Sequence, residues 1–209
     1  MMDVAQGGLQ QFLQLFLGWE GAAVIFAIAY LLLAIRESML CWYAAFVSSM
    51  IFAVVFWDVS LLMDSALSIY YVVMAVVGWY EWKRGGKDHS GVKVHRWGVR
   101  HHALAITGVV VASMVSGYLL AENTNAAWPY LDSFTTWGAV LTTWMVTRKV
   151  LENWIYWVVI DGVSIALYIE RGLYPTTILF VVYTIMAIWG YFTWREHLHE
   201  SANRTAKLA

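Results

Sequence analysis

Arg148 to Arg195 reads RKVLENWIYWVVIDGVSIALYIERGLYPTTILFVVYTIMAIWGYFTWR, two long apolar segments parted by a tight Glu170-Arg171-Gly172 break. In the first segment Asn153, Trp157, Asp161, Ser164 and Tyr168 recur at spacings of four, four, three and four, which places them on one face of a helix. Asp161 sits about ten residues in, so at ~1.5 Å per residue it lies ~15 Å deep, near the middle of a ~30 Å hydrocarbon layer. A carboxylate at that depth costs roughly 2.5–3.5 kcal/mol, so it is expected to face the bundle interior or a wet cavity. The polar and aromatic stripe is therefore read as a ligand-lining face. The plainer alternative is a seam of interhelical hydrogen bonds.

Working outward, the rest of the chain has the same character. Of 209 residues 61% are apolar and 13% charged, and the apolar ones come in long blocks. That is too little polar surface for a soluble globule, and it specifies an all-α polytopic membrane protein. Seven spans are expected, near Trp19–Ile35, Met39–Trp57, Leu61–Tyr80, His101–Ala121, Leu131–Thr147, Leu151–Ile169 and Leu173–Trp194. Before them, Leu9, Phe12, Leu13, Phe16 and Leu17 fall on one side and four glutamines on the other, which predicts a short amphipathic interfacial helix over residues 1–18. This stretch lacks a positive n-region and is not read as a cleaved signal peptide.

An internal repeat organises the spans. A shift of 112 positions superposes Arg36 on Arg148, Trp42 on Trp154, Tyr71 on Tyr183, Gly78 on Gly190 and Trp82 on Trp194. Three spans per copy would invert the second copy, and a single linker span restores it, giving 3+1+3 parallel repeats. The expected divisions are residues 19–82 and 131–195 for the repeats, 83–130 for the linker helix with its loops, and 196–209 for a tail. Twelve of the thirteen Lys and Arg residues then lie on one side and only Arg171 on the other, which places that side and the C-terminus in the cytoplasm.

Other chemistry is largely excluded. The near-neutral charge, with basic residues confined to loops, offers nothing to nucleic acid. Lone Cys41 excludes an intrachain disulfide, and all six histidines fall at the cytoplasmic side, so neither a buried haem nor a metal site is expected. No cofactor is called for, and no hydrolase or nucleotide-binding motif occurs. Gly78 and Gly190 are expected to permit close helix packing, while Trp82 and Trp194, each followed by a basic residue, are expected to anchor at the membrane interface. Tyr71 and Tyr183 lie deeper, where a hydroxyl needs a partner, and join the site candidates. A central Asp among aromatic rings suits a flat organic cation.

The run TRKVLENWIYWVVID, followed by RGLY and a terminal WGYFTW, with GWYEWKR earlier, resembles the PnuC family of bacterial vitamin transporters, typified by nicotinamide riboside uptake. The resemblance covers almost the whole chain. It implies a bacterial inner-membrane protein whose three-plus-one-plus-three fold is comparable to the SWEET sugar transporters, a possible homo-oligomer such as a trimer, and facilitated diffusion with trapping by a cytoplasmic kinase. By motif it places Asn153, Trp154, Trp157, Asp161 and Tyr183 near the substrate. Asp161 is a departure, since some nicotinamide riboside members carry Asn there, and relatives handling thiamine belong to the same family. The cargo expected is thus a cationic vitamin, nicotinamide riboside or thiamine. The competing class is a non-transporting membrane assembly protein, in which the stripe would pack into helix contacts without a pocket.

Overall fold

A computed structural model describes residues 18–58, 62–86, 88–124 and 128–208. Its helices follow the apolar blocks in order: α1 Trp19–Ile35, α2 Leu40–Asp58, α3 Leu62–Arg84, α4 Val99–Asn123, α5 Pro129–Thr147, α6 Asn153–Glu170 and α7 Tyr174–Leu208. Among the described residues there is no strand, only an isolated bridge between His95 and Val150. The amphipathic helix expected at the N-terminus falls on residues 1–17, outside the described residues.

The breaks have local causes. Pro129 opens α5, where its missing N–H is one of the donors a helix start leaves unpaired anyway. Gly172, at φ 71°, takes the left-handed turn after α6 that glycine adopts without strain. Three boundaries differ from expectation. Helices α3 and α7 run past Tyr80 and Trp194 because the charged residues that follow the apolar block are good helix formers, with no Gly or Pro before Gly85 in one case and none to the C-terminus in the other. Helix α6 starts at Asn153 and not at Leu151, because the Leu151 N–H is donated to His95 O at 2.8 Å while His95 N–H donates to Lys149 O at 3.1 Å.

The distribution of side chains is that of helices in lipid. Ser48, Ser65, Ser113, Thr142 and Thr147 are buried, while Ile25, Val99, Leu104, Ile178 and Ile185 are exposed. Four of these five buried hydroxyls, all but that of Ser113, bond to helix carbonyls, as Ser48 Oγ does to Ala23 O and Ser65 Oγ to Ala53 O, each at 2.8 Å. Large apolar side chains turned outward would be an aggregation hazard in water and are what a bilayer accommodates. By length and composition three helices suffice to cross a membrane, Leu40–Asp58, Val99–Asn123 and Tyr174–Ser201. The shorter Gly21–Ile35 is also apolar.

The chain forms two compact units that meet in sequence between Tyr80 and Glu81. Within each, the same local geometry recurs at the 112-residue offset. In the first unit Glu37 adopts φ 52° and the N–H of Ser38 donates to Leu33 O at 2.9 Å; in the second Lys149 adopts φ 54° and the N–H of Val150 donates to Met145 O at 3.0 Å. Trp42 is buried and lies where a Cβ on Gly78 would be, while a Cβ on Gly190 would come within 2.7 Å of the Trp154 ring. The two glycines therefore admit a tryptophan side chain, a tighter use of the missing Cβ than backbone-to-backbone approach.

Candidate functional site

In the second unit the site is built on α6 and α7. Asn153 opens α6 fully buried, its Nδ2 donating to Val150 O at 2.7 Å. Its Oδ1 accepts nothing among the described residues, and neither does the neighbouring Trp154 Nε1 find an acceptor. The Trp154 ring is held from two sides: Gly190 leaves it room, and Trp194 meets it edge-on at 5.3 Å. A buried polar atom without a protein partner costs about 1–3 kcal/mol, so these two atoms stand ready for water or ligand.

One and two turns further along, Trp157 is half-buried and makes neither a ring contact nor a hydrogen bond among the described residues. Asp161 is 4% exposed and likewise has no hydrogen bond or ion pair among them. The phenol of Tyr183 on α7 is close enough to feel the Asp161 carboxylate electrostatically. Ser164 is buried and spends its proton on Ile160 O at 2.9 Å, so only its oxygen lone pairs could serve a ligand. Tyr168 is half-buried against Phe180 at 5.0 Å, and Phe180 meets Tyr183 edge-on at 5.7 Å. Rings of α6 and α7 thus continue from Tyr168 through Phe180 to Tyr183. Such a surface offers negative charge and aromatic faces together, which is how a flat cation is held.

Tyr71 belongs to the first unit, half-buried on α3 with its ring 5.8 Å from Tyr70. It takes the α3 position that Tyr183 takes on α7 at the repeat offset.

The expectation that Trp82 and Trp194 are interfacial anchors is overturned. They are 5% and 0% exposed, and their rings lie 6.0 Å apart. Trp82 Nε1 donates to Val146 O at 3.1 Å, and Lys149 Nζ sits 4.4 Å above the Trp82 ring. A tryptophan followed by a basic residue reads the same in sequence whether the indole reaches the headgroups or turns into the bundle.

Sequence reading also missed how this end of the unit is tied together. The buried carboxylate of Glu152 accepts from Arg96 Nε at 2.9 Å and from the Trp97 N–H at 3.2 Å. Arg148 pairs with Glu81 at 3.1 Å. His102 Nδ1 and the Tyr156 hydroxyl share a hydrogen bond of 2.8 Å. These pairs join residues more than fifty positions apart and leave no periodic signal; only the Glu152-Asn153-Trp154 run hints at them. No three His, Cys, Asp or Glu side chains among the described residues could hold a metal.

The chain matches a family model described as nicotinamide mononucleotide transporter over residues 17–196. It is 22% identical over 214 residues to the nicotinamide riboside transporter PnuC of Escherichia coli, covering 90% of each chain. It is 24% identical over 176 residues to the riboflavin/roseoflavin transporter RibM of Streptomyces davaonensis, covering 81% of each. A crystal structure of the vitamin B3 transporter PnuC has the same fold, with a TM-score of 0.72 over 94% of this chain and 88% of that one at 20% identity. Apolar helices with their polar groups turned inward, and a match over nearly the whole sequence, make this a multi-pass inner-membrane transporter and not an enzyme: the chain belongs to the nicotinamide mononucleotide transporter family, that of the PnuC proteins.

Proposed function

We propose that this transporter takes up a cationic vitamin precursor, nicotinamide riboside first, by facilitated diffusion. The observation that carries the reading is Asp161, a buried carboxylate with no cation among the described residues and with the Trp157 and Tyr183 rings on or beside its helix. Nicotinamide riboside carries a fixed positive charge on a flat aromatic ring, so it supplies the missing counter-charge and stacks at the same time. Thiamine carries the same pair of features and is the alternative within this reading. The similarity to RibM favours a second one, a neutral flavin, for which the aromatic faces would matter and the carboxylate would not.

The 3+1+3 parallel arrangement, comparable to the SWEET transporters, is supported by the paired φ angles at Glu37 and Lys149 and the paired Trp–Gly contacts. The Lys and Arg asymmetry supports a cytoplasmic C-terminus. Equilibration fits a site whose mid-membrane carboxylate pairs with no histidine, lysine, arginine or second carboxylate among the described residues; trapping by a cytoplasmic kinase would then retain the cargo. A homotrimer is part of the same proposal.

The test is calorimetric binding of nicotinamide riboside, thiamine, riboflavin and a deoxynucleoside to the purified protein. The two cations should bind, and Asp161→Asn should weaken them far more than any neutral ligand. Riboflavin binding that is untouched by Asp161→Asn would replace the cation reading with the flavin one. In proteoliposomes uptake should equilibrate without accumulation; proton-driven accumulation lost in Asp161→Asn would make the carboxylate a coupling site.

A further inference from the structure

A groove of about 490 Å³ opens on the second unit away from the stripe described above, between α4, α5 and α6. Its walls are apolar, among them Ile106, Val110, Phe134, Leu141, Ile155 and Val159. One end is polar: His102 and Tyr156, joined by their 2.8 Å hydrogen bond, line it beside Glu152. Helix α4 and the segment just before it reach α5 on either side of the gap. At one end a Cβ on Gly117 would overlap the Tyr130 ring and Trp137 Nε1 donates to Ser116 Oγ at 3.0 Å; at the other Trp97 meets Trp144 at 5.7 Å. Between these contacts α4 buries almost nothing, and Ile106 and Val110 stay exposed.

We propose that this groove is a binding site for an anionic phospholipid, with an acyl chain along the apolar walls and the headgroup on the cations beside the His102 end. Two observations select that occupant. The first is length: the groove follows α4 from His102 to Val110 and the chain from Glu152, just before α6, to Ile160, which at 1.5 Å per residue is ~12 Å. That is close to the ~15 Å half-thickness of the hydrocarbon layer, so one leaflet's chain fills it, whereas a packed partner helix would extend over the full ~30 Å. The second is charge. The segment leading into the polar end exposes Lys93, Arg96 and Arg100, while the facing carboxylate, Glu152, is already engaged by Arg96 and the Trp97 N–H. Arg96 remains 61% exposed despite that bond, so its guanidinium can still serve a phosphate. Apolar walls ending at exposed cations are the arrangement that recognises an acidic headgroup at a membrane surface.

The experiment is native mass spectrometry of the delipidated protein titrated with dioleoyl phosphatidylglycerol or dioleoyl phosphatidylcholine. Wild type should retain one phosphatidylglycerol and prefer it over phosphatidylcholine by about 5-fold per engaged cation. Lys93→Gln with Arg100→Gln should cut that preference to the roughly 5-fold that Arg96 alone supplies, while leaving chain binding in place. Val110→Trp, at an exposed position that tolerates bulk, should fill the groove and abolish retention of both lipids. Equal retention of the two lipids by wild type, or retention unchanged by Val110→Trp, would overturn the site. An oligomer that Val110→Trp splits into monomers would assign the groove to a second copy of the chain and overturn it as well.

Discussion

Two stretches of this chain, Arg36–Trp82 and Arg148–Trp194, share a frame and differ in what the frame carries. The positions that match are those that hold helices together: the arginine and the left-handed residue after the first helix, the tryptophan seated on a glycine, and the buried Met74-Ala75 and Met186-Ala187 pairs. The positions that diverge are the stripe. Cys41, Ala45, Ser49, Phe52 and Phe56 stand where the second copy has Asn153, Trp157, Asp161, Ser164 and Tyr168. Phe52 and Phe56 stack on each other at 5.5 Å, whereas Tyr168 joins the ring series beside Asp161. The packing positions match and the stripe does not, so on the proposed reading frame substitutions should act alike in both stretches and stripe substitutions in only one.

The largest effect tests the frame. Gly78→Leu and Gly190→Leu each drive a side chain into an indole that has nowhere to go, Trp42 in one unit and Trp154 in the other. Overpacking of this kind costs ~1–3 kcal/mol, and both variants should lose thermal stability in detergent by similar amounts. A Gly78 variant as stable as wild type beside a crippled Gly190 variant would break the equivalence. Next comes Asp161→Asn, which keeps the shape and removes the charge. Affinity for a cationic ligand should fall about 10- to 100-fold, the ~1.5–3 kcal/mol of a charged hydrogen bond, while Ser49→Ala should change it less than ~2-fold. Calorimetry on the two variants decides it, and equal losses would mean that both copies line the site.

What the sequence made legible follows the same division. Helix count and order and the glycine break at Gly172 are periodic or local, and each stands in the structure within a few residues of its expected place. The burial of Trp82 and Trp194, the late start of α6 and the His102–Tyr156 bond were not legible, since each depends on a partner far along the chain. Asp161 could be singled out as a buried charge, but that it has no hydrogen bond or ion pair among the described residues is a statement about every neighbouring side chain and needs coordinates.

A smaller effect sharpens the stripe itself. Trp157 has no ring or hydrogen-bond partner among the described residues, so Trp157→Ala should leave folding intact and weaken ligand binding by ~1–2 kcal/mol, about 5- to 30-fold. Trp157→Phe should recover most of it by keeping an aromatic face. Wild-type affinity in Trp157→Ala would return this residue to packing.

The smallest effect is the finest test of the shared frame. Glu37 and Lys149 hold φ near 52° and 54°, a conformation that strains a residue with a Cβ by roughly 1–2 kcal/mol. Glycine removes that strain but gives the unfolded chain more freedom, which takes back ~0.5–1 kcal/mol. At Lys149 any substitution also removes the ammonium 4.4 Å above Trp82, worth ~0.5–1 kcal/mol. Lys149→Gln loses the cation and keeps the strain, so it should be the less stable variant. Lys149→Gly loses the cation and the strain together, so it should lie close to wild type. The difference between Gly and Gln cancels whatever the native side chain does and leaves the backbone alone. Measured by thermal or denaturant unfolding, that difference should be about 0.5–1 kcal/mol in favour of Gly at position 149, and the same at position 37 for Glu37→Gly against Glu37→Gln. Equal differences would show that the two turns are one design used twice; a difference at only one of them would show that the matching angles arise from separate causes.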